Sequence, residues 1–301
     1  MQSTVIFRFQ KRVTRYVGFS FKNPTWLLMF VFGRILLIRK LVAFLLRDPQ
    51  VVQTYHGQSS HFNSVNTGEI VHAMRKDGFY QGLRLSPYTL KRILNFVHNT
   101  KMYVGGKPEI QFLYADKSTI QRSCGAFAHG IYPKFALESC AVIQSLVRDP
   151  KLLEISAQYL DAAPKHISTN LCWCFQGDRH LYEHSGSGDA QIRFHYDLDD
   201  YHSIKFFFYL TDVNPDSGPH YCVLGSHRKR KWNYQLSPLI GRSDEAIIRD
   251  FGQHTIRQVC GDAGFGFVED TFCFHRGTPP TQGDRLLLTI EYGLQNFGQW
   301  K

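Results

Sequence analysis

The sequence predicts an α+β chain that is mainly β, with a helical cover followed by a double-sheet, jelly-roll core. Helical signals dominate residues 69–160, whereas from Ser168 onward short apolar runs alternate with turn clusters. About eight such runs follow, separated by regular turns, the pattern of a double-sheet β-barrel or jelly roll. At 43% hydrophobic and 14% aromatic content, the 301 residues can fill a sizeable core.

The first segment stands apart. Trp26 to Leu46 is mostly apolar but is interrupted by Arg34, Arg39 and Lys40. A span needs about 20 apolar residues, and each central basic residue costs roughly 2.5–3.5 kcal/mol, so a transmembrane helix is not expected. No small-residue cleavage site follows, which argues against a signal peptide. Two expectations remain open for residues 1–60: attachment to a membrane surface with the basic side chains snorkelling, or helices covering the domain formed by residues 61–301. Thr54 to Gly68, rich in Gly, Ser, His and Asn, reads as a linker.

Ile70, Val71, Ala73 and Met74 share a helix face that ends at Asp77-Gly78, and Phe79 to Leu85 suits a strand. Ser86-Pro87 is an N-cap followed by proline at the first helical position, with Leu90, Ile93, Leu94 and Val97 on one face. Further helices are predicted over Lys134–Val147 and Pro150–Leu160. Strands are predicted over Ser168–Gln176, Ala190–Tyr196, Ile204–Leu210, Tyr221–Leu224, His254–Val259, Gly264–Val268, Thr271–His275 and Arg285–Tyr292.

The formal charge of +10 biases the chain toward anionic partners. No zinc finger or aromatic RNA-binding signature accompanies it, so nucleic acid is not an expected partner. Seven scattered cysteines lack metal-finger spacing and suggest free thiols in a reducing, cytoplasmic setting.

His195-Tyr196-Asp197, with His275 far downstream and Arg285 beyond it, carries the chemistry. Two imidazoles and one carboxylate can take one face of a metal and leave the opposite positions open, which suits non-haem Fe(II). A structural site would be closed by protein ligands, so a non-catalytic metal-containing binding protein is the weaker alternative. Arg285 offers a planar fork for a carboxylate. Arg193 shares the His195 strand face and is a candidate for an acidic substrate. His184, His202, His220, His227, His254, Asp199 and Asp200 are competing ligands that lack this combined spacing and read as structural or surface residues.

From about Glu69 to Tyr292 the chain resembles the phytanoyl-CoA dioxygenase-like branch of the Fe(II)/2-oxoglutarate oxygenases. The resemblance rests on Met74-Arg75-Lys76-Asp77-Gly78-Phe79, Leu85-Ser86-Pro87, the His195/Asp197 pair, Asp216-Ser217-Gly218-Pro219, Leu224-Gly225-Ser226-His227, Gly261-Asp262, His275 and Arg285. It implies a double-stranded β-helix (cupin-like) core, Fe(II) on His195, Asp197 and His275, 2-oxoglutarate held by Arg285, and O2 as co-substrate. Relatives often place Ser two residues after the distal His. Here Gly277 occupies that place and Thr278 follows, so Thr278 inherits the co-substrate role. Related halogenases carry Ala or Gly in place of the carboxylate, so Asp197 implies hydroxylation with release of succinate and CO2. The basic balance and the apolar N-terminus favour a small-molecule or lipid-linked anionic substrate, met in the cytoplasm or at the inner face of its membrane.

Overall fold

A computed structural model of the chain describes residues 18, 23–48, 55, 59–105, 107–184, 192–237 and 241–297. Among the described residues eleven strands form two sheets in which every pairing is antiparallel. The larger sheet runs β1 (Phe79–Arg84), β9 (Phe265–Glu269), β6 (Ser203–Tyr209), β11 (Arg285–Gly293), β5 (His166–Cys174), β4 (His129–Ile131), β2 (Met102–Val104) and β3 (Lys107–Phe112). The smaller runs β10 (His275–Gly277), β7 (His220–Val223) and β8 (Ile256–Val259).

All seven residues of β6 are buried, because the large sheet is covered on both faces. Ile204, Phe206 and Phe208 join Ile290, Tyr292 and Val268 in the largest core cluster. Residues of α3 (Thr67–Asp77), α4 (Pro87–Asn99) and α8 (Pro150–Leu160) complete that cluster. The intervening residues point the other way: Phe207, Tyr209 and Phe267 pack with Val259 and Cys222 of the small sheet. Each fully buried aromatic or aliphatic side chain contributes about 1.5–3 kcal/mol, so the two clusters lock the sheets face to face. This alternation also aims Lys205, Glu269, Arg285 and Glu291 into the space between the sheets.

Local signals explain the cover. Ser86 caps α4 by accepting from Thr89 N, and Asp149 caps α8 by accepting from Lys151 N and Leu152 N. Asp149 also accepts from Ser60 Oγ at 2.7 Å and His61 N at 2.8 Å, which ties the middle of the expected linker to the helical layer.

Several sequence expectations need correction. The single helix expected over residues 134–147 is two, α6 (Lys134–Ser139) and α7 (Ala141–Val147), because Cys140 adopts an extended backbone. The strand expected at 190–196 begins outside the described residues. From 192 onward it shows only isolated bridges, Phe194 to Arg242 and His195 to His275. Residues 271–274 form a turn, so His275 opens a strand rather than closing one. The Asp270 carboxylate accepts from Phe272 N at 2.9 Å, and the Asp270 carbonyl accepts from Cys273 N at 2.8 Å, which bends the chain there. Strands β2, β3 and β4 lie in a stretch with no predicted strand.

Near the N-terminus, α1 (Pro24–Phe32) and α2 (Leu36–Leu45) are nine and ten residues long, and no helix among the described residues is long and apolar enough to cross a membrane. Trp26 and Met29 bury against Phe297. Of the two arrangements left open for this segment, Arg34 and Arg39 adopt the one in which they point inward, toward the domain. Arg34 donates to the carbonyls of Ser237 and Phe30. Arg39 donates to the carbonyls of Gly33 and Asp200, and its guanidinium lies 3.7 Å from the Phe272 ring centroid. An aromatic face with two carbonyls compensates a desolvated cation there.

Candidate metal centre

His195, Asp197 and His275 present ligand atoms that all lie within 4.8 Å of one another. His195 Nε2 is 4.0 Å from Asp197 Oδ1, and His275 Nε2 is 3.9 Å from Asp197 Oδ2. The backbone creates this convergence. His195 and His275 pair across an antiparallel bridge, so their side chains leave the same face with ring centroids 4.4 Å apart. Asp197 N donates to Thr271 O at 2.8 Å and holds the carboxylate beside them.

The outer ring nitrogens are already committed. His195 Nδ1 donates to Arg193 O at 2.9 Å, and His275 Nδ1 donates to Cys273 O at 3.0 Å. These bonds fix the tautomer that leaves each Nε2 lone pair aimed inward, the usual arrangement of metal-ligating imidazoles. Burial pushes both rings below the usual histidine pKa, His275 to about 4, so both are neutral and able to coordinate near neutral pH. His275 is buried whereas His195 and Asp197 are partly open, which gives the site a closed side and an accessible one. The donor set fits a divalent transition metal with vacant positions on its open side.

Sequence reasoning did not single out Lys205, Glu269 or Glu291 around the triad, and it read Asp199 and His220 as structural or surface residues. Lys205 Nζ donates to Asp197 Oδ2 at 2.6 Å and Asp199 Oδ2 at 2.9 Å, and lies 3.7 Å from Glu291 Oε1. Burial opposes its charge, but the three carboxylates outweigh that and keep the ammonium protonated. His220 Nε2 lies 2.6 Å from Glu269 Oε2, and Glu269 Oε1 lies 3.6 Å from His275 Nδ1. Burial raises the Glu269 pKa well above the carboxylate range and lowers that of His220 to about 3, so this pair is held as a neutral acid donating to a neutral imidazole. A Lys and a Glu inside otherwise apolar strands, Ser203–Tyr209 and Phe265–Glu269, were the available signal, since charged residues are rarely buried without a task.

Arg285 begins β11 and is 95% buried, at 5% exposure. Its Nη2 lies 3.1 Å from Cys174 Sγ, and its Nε has no hydrogen-bond partner. Neighbouring Asp284 is already occupied by Lys117 Nζ at 2.6 Å, Tyr114 Oη at 3.0 Å and Gln176 N at 2.9 Å. Among the described residues no carboxylate pairs with Arg285. His220 stands between the two groups: its ring is 5.5 Å from that of His275, and the charge of Arg285 helps to lower its pKa.

Thr278 follows β10, and its hydroxyl donates to Pro219 O at 2.7 Å, so serving a carboxylate requires it to rotate away. Gly218, at φ +74°, lies so close that a Cβ there would sit 2.6 Å from Thr278 O, which is why glycine stands in this turn. Arg193 is exposed, and its carbonyl orients His195. Asp200, His202, His227 and His254 lie outside the three-ligand group.

No protein-family model matches the chain, and no curated protein matches it. Solved structures do. EvdO2 from Micromonospora carbonacea var. aurantiaca, complexed with 2-oxoglutarate, superposes with a TM-score of 0.51 at 14% identity, over 78% of this chain and 93% of that one. The chain shares that fold. Two looser matches are the non-heme alpha ketoglutarate dependent epimerase SnoN (TM-score 0.48, 13% identity, 75% and 81% covered) and carbocyclase SnoK (0.47, 15%, 78% and 86%), both from nogalamycin biosynthesis.

Proposed function

We propose that the chain is an Fe(II)- and 2-oxoglutarate-dependent oxygenase of the phytanoyl-CoA dioxygenase-like type, built on a double-stranded β-helix core. It hydroxylates an anionic small-molecule or lipid-linked substrate. The observation that carries this reading is the pairing of a three-ligand site, open on one side, with a buried guanidinium that among the described residues has the Cys174 thiol beside it but no carboxylate partner. A buried cation faced by a single thiol is incompletely compensated, and a carboxylate ligand would complete its pairing. EvdO2, described as complexed with 2-oxoglutarate, shares the fold and supports the same choice of acid.

In this reading His195, Asp197 and His275 hold the metal, and the Arg285 fork pairs with the distal carboxylate of 2-oxoglutarate. Fe(II) with 2-oxoglutarate would supply O2 activation coupled to decarboxylation, yielding succinate and CO2. The chain's own groups prepare that chemistry. Lys205 compensates the crowded carboxylates, Arg193 O and Cys273 O orient the imidazoles, and Phe207 and Phe267, stacked at 4.7 Å, keep water from the closed side. Thr278 is the second candidate for the co-substrate, and exposed Arg193, two residues before His195, for the acidic group of the substrate.

The test is succinate release from 2-oxoglutarate with Fe(II) and O2, screened against metabolite and lipid extracts for a product heavier by one oxygen. The reading predicts coupled succinate and product that vanish when His195, Asp197 and His275 are all replaced by Ala. Wild-type turnover by that triple variant would overturn it.

A further inference from the structure

Helices α1 and α2 bury one side and leave the other uncovered. On α1, Leu27, Leu28, Val31 and Phe32 are exposed; on α2, Leu37 (70%), Leu41 (54%), Phe44 (65%) and Leu45 (69%) are largely so. At 100° per residue, the four α2 positions fall within one stripe, and exposed Lys40 lies along its edge. Isolated exposed leucines are ordinary, but eight large apolar side chains on two consecutive helices mark an interaction surface.

The charge identifies the occupant. The first 47 residues hold nine Lys or Arg and no Asp or Glu, the first acid being Asp48; Arg34 and Arg39 are buried against carbonyls, five of the nine lie outside the described residues, and Lys40 and Arg47 are exposed. A second copy of the chain would bring the same positive excess to the contact, so self-association through this face works against like-charge repulsion. An anionic bilayer offers both an apolar layer and a negative surface. Helices of nine and ten residues are too short to span a bilayer yet suited to lying in its interface, with the apolar stripe down and the basic edge at the headgroups.

We propose that the outer face of α1 and α2 docks the protein on an anionic lipid surface. The contacts of Trp26, Met29, Arg34 and Arg39 fasten both helices to the domain, so docking holds the whole domain at the bilayer rather than tethering it through a free tail. This inference does not depend on the proposed reaction.

The experiment is flotation of the full-length chain with phosphatidylcholine vesicles, pure or carrying phosphatidylglycerol at about one part in four, a negative surface like that of a cytoplasmic leaflet. The expected result is co-flotation with the anionic vesicles that weakens as salt is raised. Replacing Leu37, Leu41, Phe44 and Leu45 together by Gln touches only exposed positions, leaves the folded domain's circular dichroism unchanged, and reduces flotation at least about tenfold. Lys40→Gln reduces binding to the anionic vesicles by roughly fivefold and leaves pure phosphatidylcholine unaffected. Absence of flotation, or equal flotation by the quadruple variant, overturns the proposal. So does sedimentation showing a vesicle-free wild-type dimer that the quadruple variant converts to monomer, since the face would then belong to a second copy.

Discussion

The main chains of His195 and His275 hydrogen-bond each other in both directions, His195 N to His275 O at 2.9 Å and the reverse at 2.7 Å. These residues are 80 positions apart in sequence, yet this single antiparallel bridge sets both rings on one face. It contributes two hydrogen bonds, each worth about 1 kcal/mol net, and converts a sequence spacing into a coordination geometry.

Arg285→Lys keeps the charge but loses the fork. It should raise the KM for 2-oxoglutarate about 10–100-fold, the equivalent of one or two charge-assisted hydrogen bonds, with a smaller change in kcat. Steady-state succinate kinetics provide the measurement. An unchanged KM would remove Arg285 from the co-substrate site.

Lys205→Met leaves Asp197, Asp199 and Glu291 facing one another without their cation. Removing one partner of a buried ion pair costs about 3–5 kcal/mol, so the metal-free variant should unfold at clearly lower urea concentration than wild type. A divalent ion such as Mn(II) replaces part of the lost charge and should recover more stability in the variant than in the native chain. Equal urea midpoints for both metal-free proteins would contradict this role.

Buried histidines set the acid limit. His220 is held at about 3 and His202 and His275 at about 4, all through burial, against about 6.5 in an unfolded chain. A depressed histidine pKa contributes stability that is present above the unfolded value and lost as pH falls toward the folded one. Metal-free protein should therefore lose stability between about pH 6.5 and 4, at up to roughly 1.4 kcal/mol per pH unit for each histidine. His202→Gln, outside the metal site, should flatten that slope by about one proton in urea titrations at successive pH values. A slope unchanged by the substitution would mean His202 does not titrate on unfolding.

The parts of this fold legible in the sequence were those with strong local signals. Ser86-Pro87 announced its helix, the apolar and aromatic run Ile204–Leu210 announced a strand, and the His195, Asp197 and His275 spacing announced converging ligands. The unpredicted β4, β2 and β3 extend the sheet outward from β5 in that order, and their pairing comes from tertiary register, which no local window contains. The turn at residues 271–274 is imposed by the Asp270 side chain, against apolar residues that read as extended. Lys205 and the His220–Glu269 pair were hidden because their partners are distant in sequence or on another strand, and only the packed sheets bring them to the ligands.

The central claim is tested most directly by anaerobic Fe(II) titration followed calorimetrically. Wild-type protein should bind one Fe(II) per chain, and Asp197→Ala and His275→Ala should each lose that binding while remaining folded. Iron affinity that survives either substitution unchanged would contradict the three-ligand site on which the proposed chemistry rests.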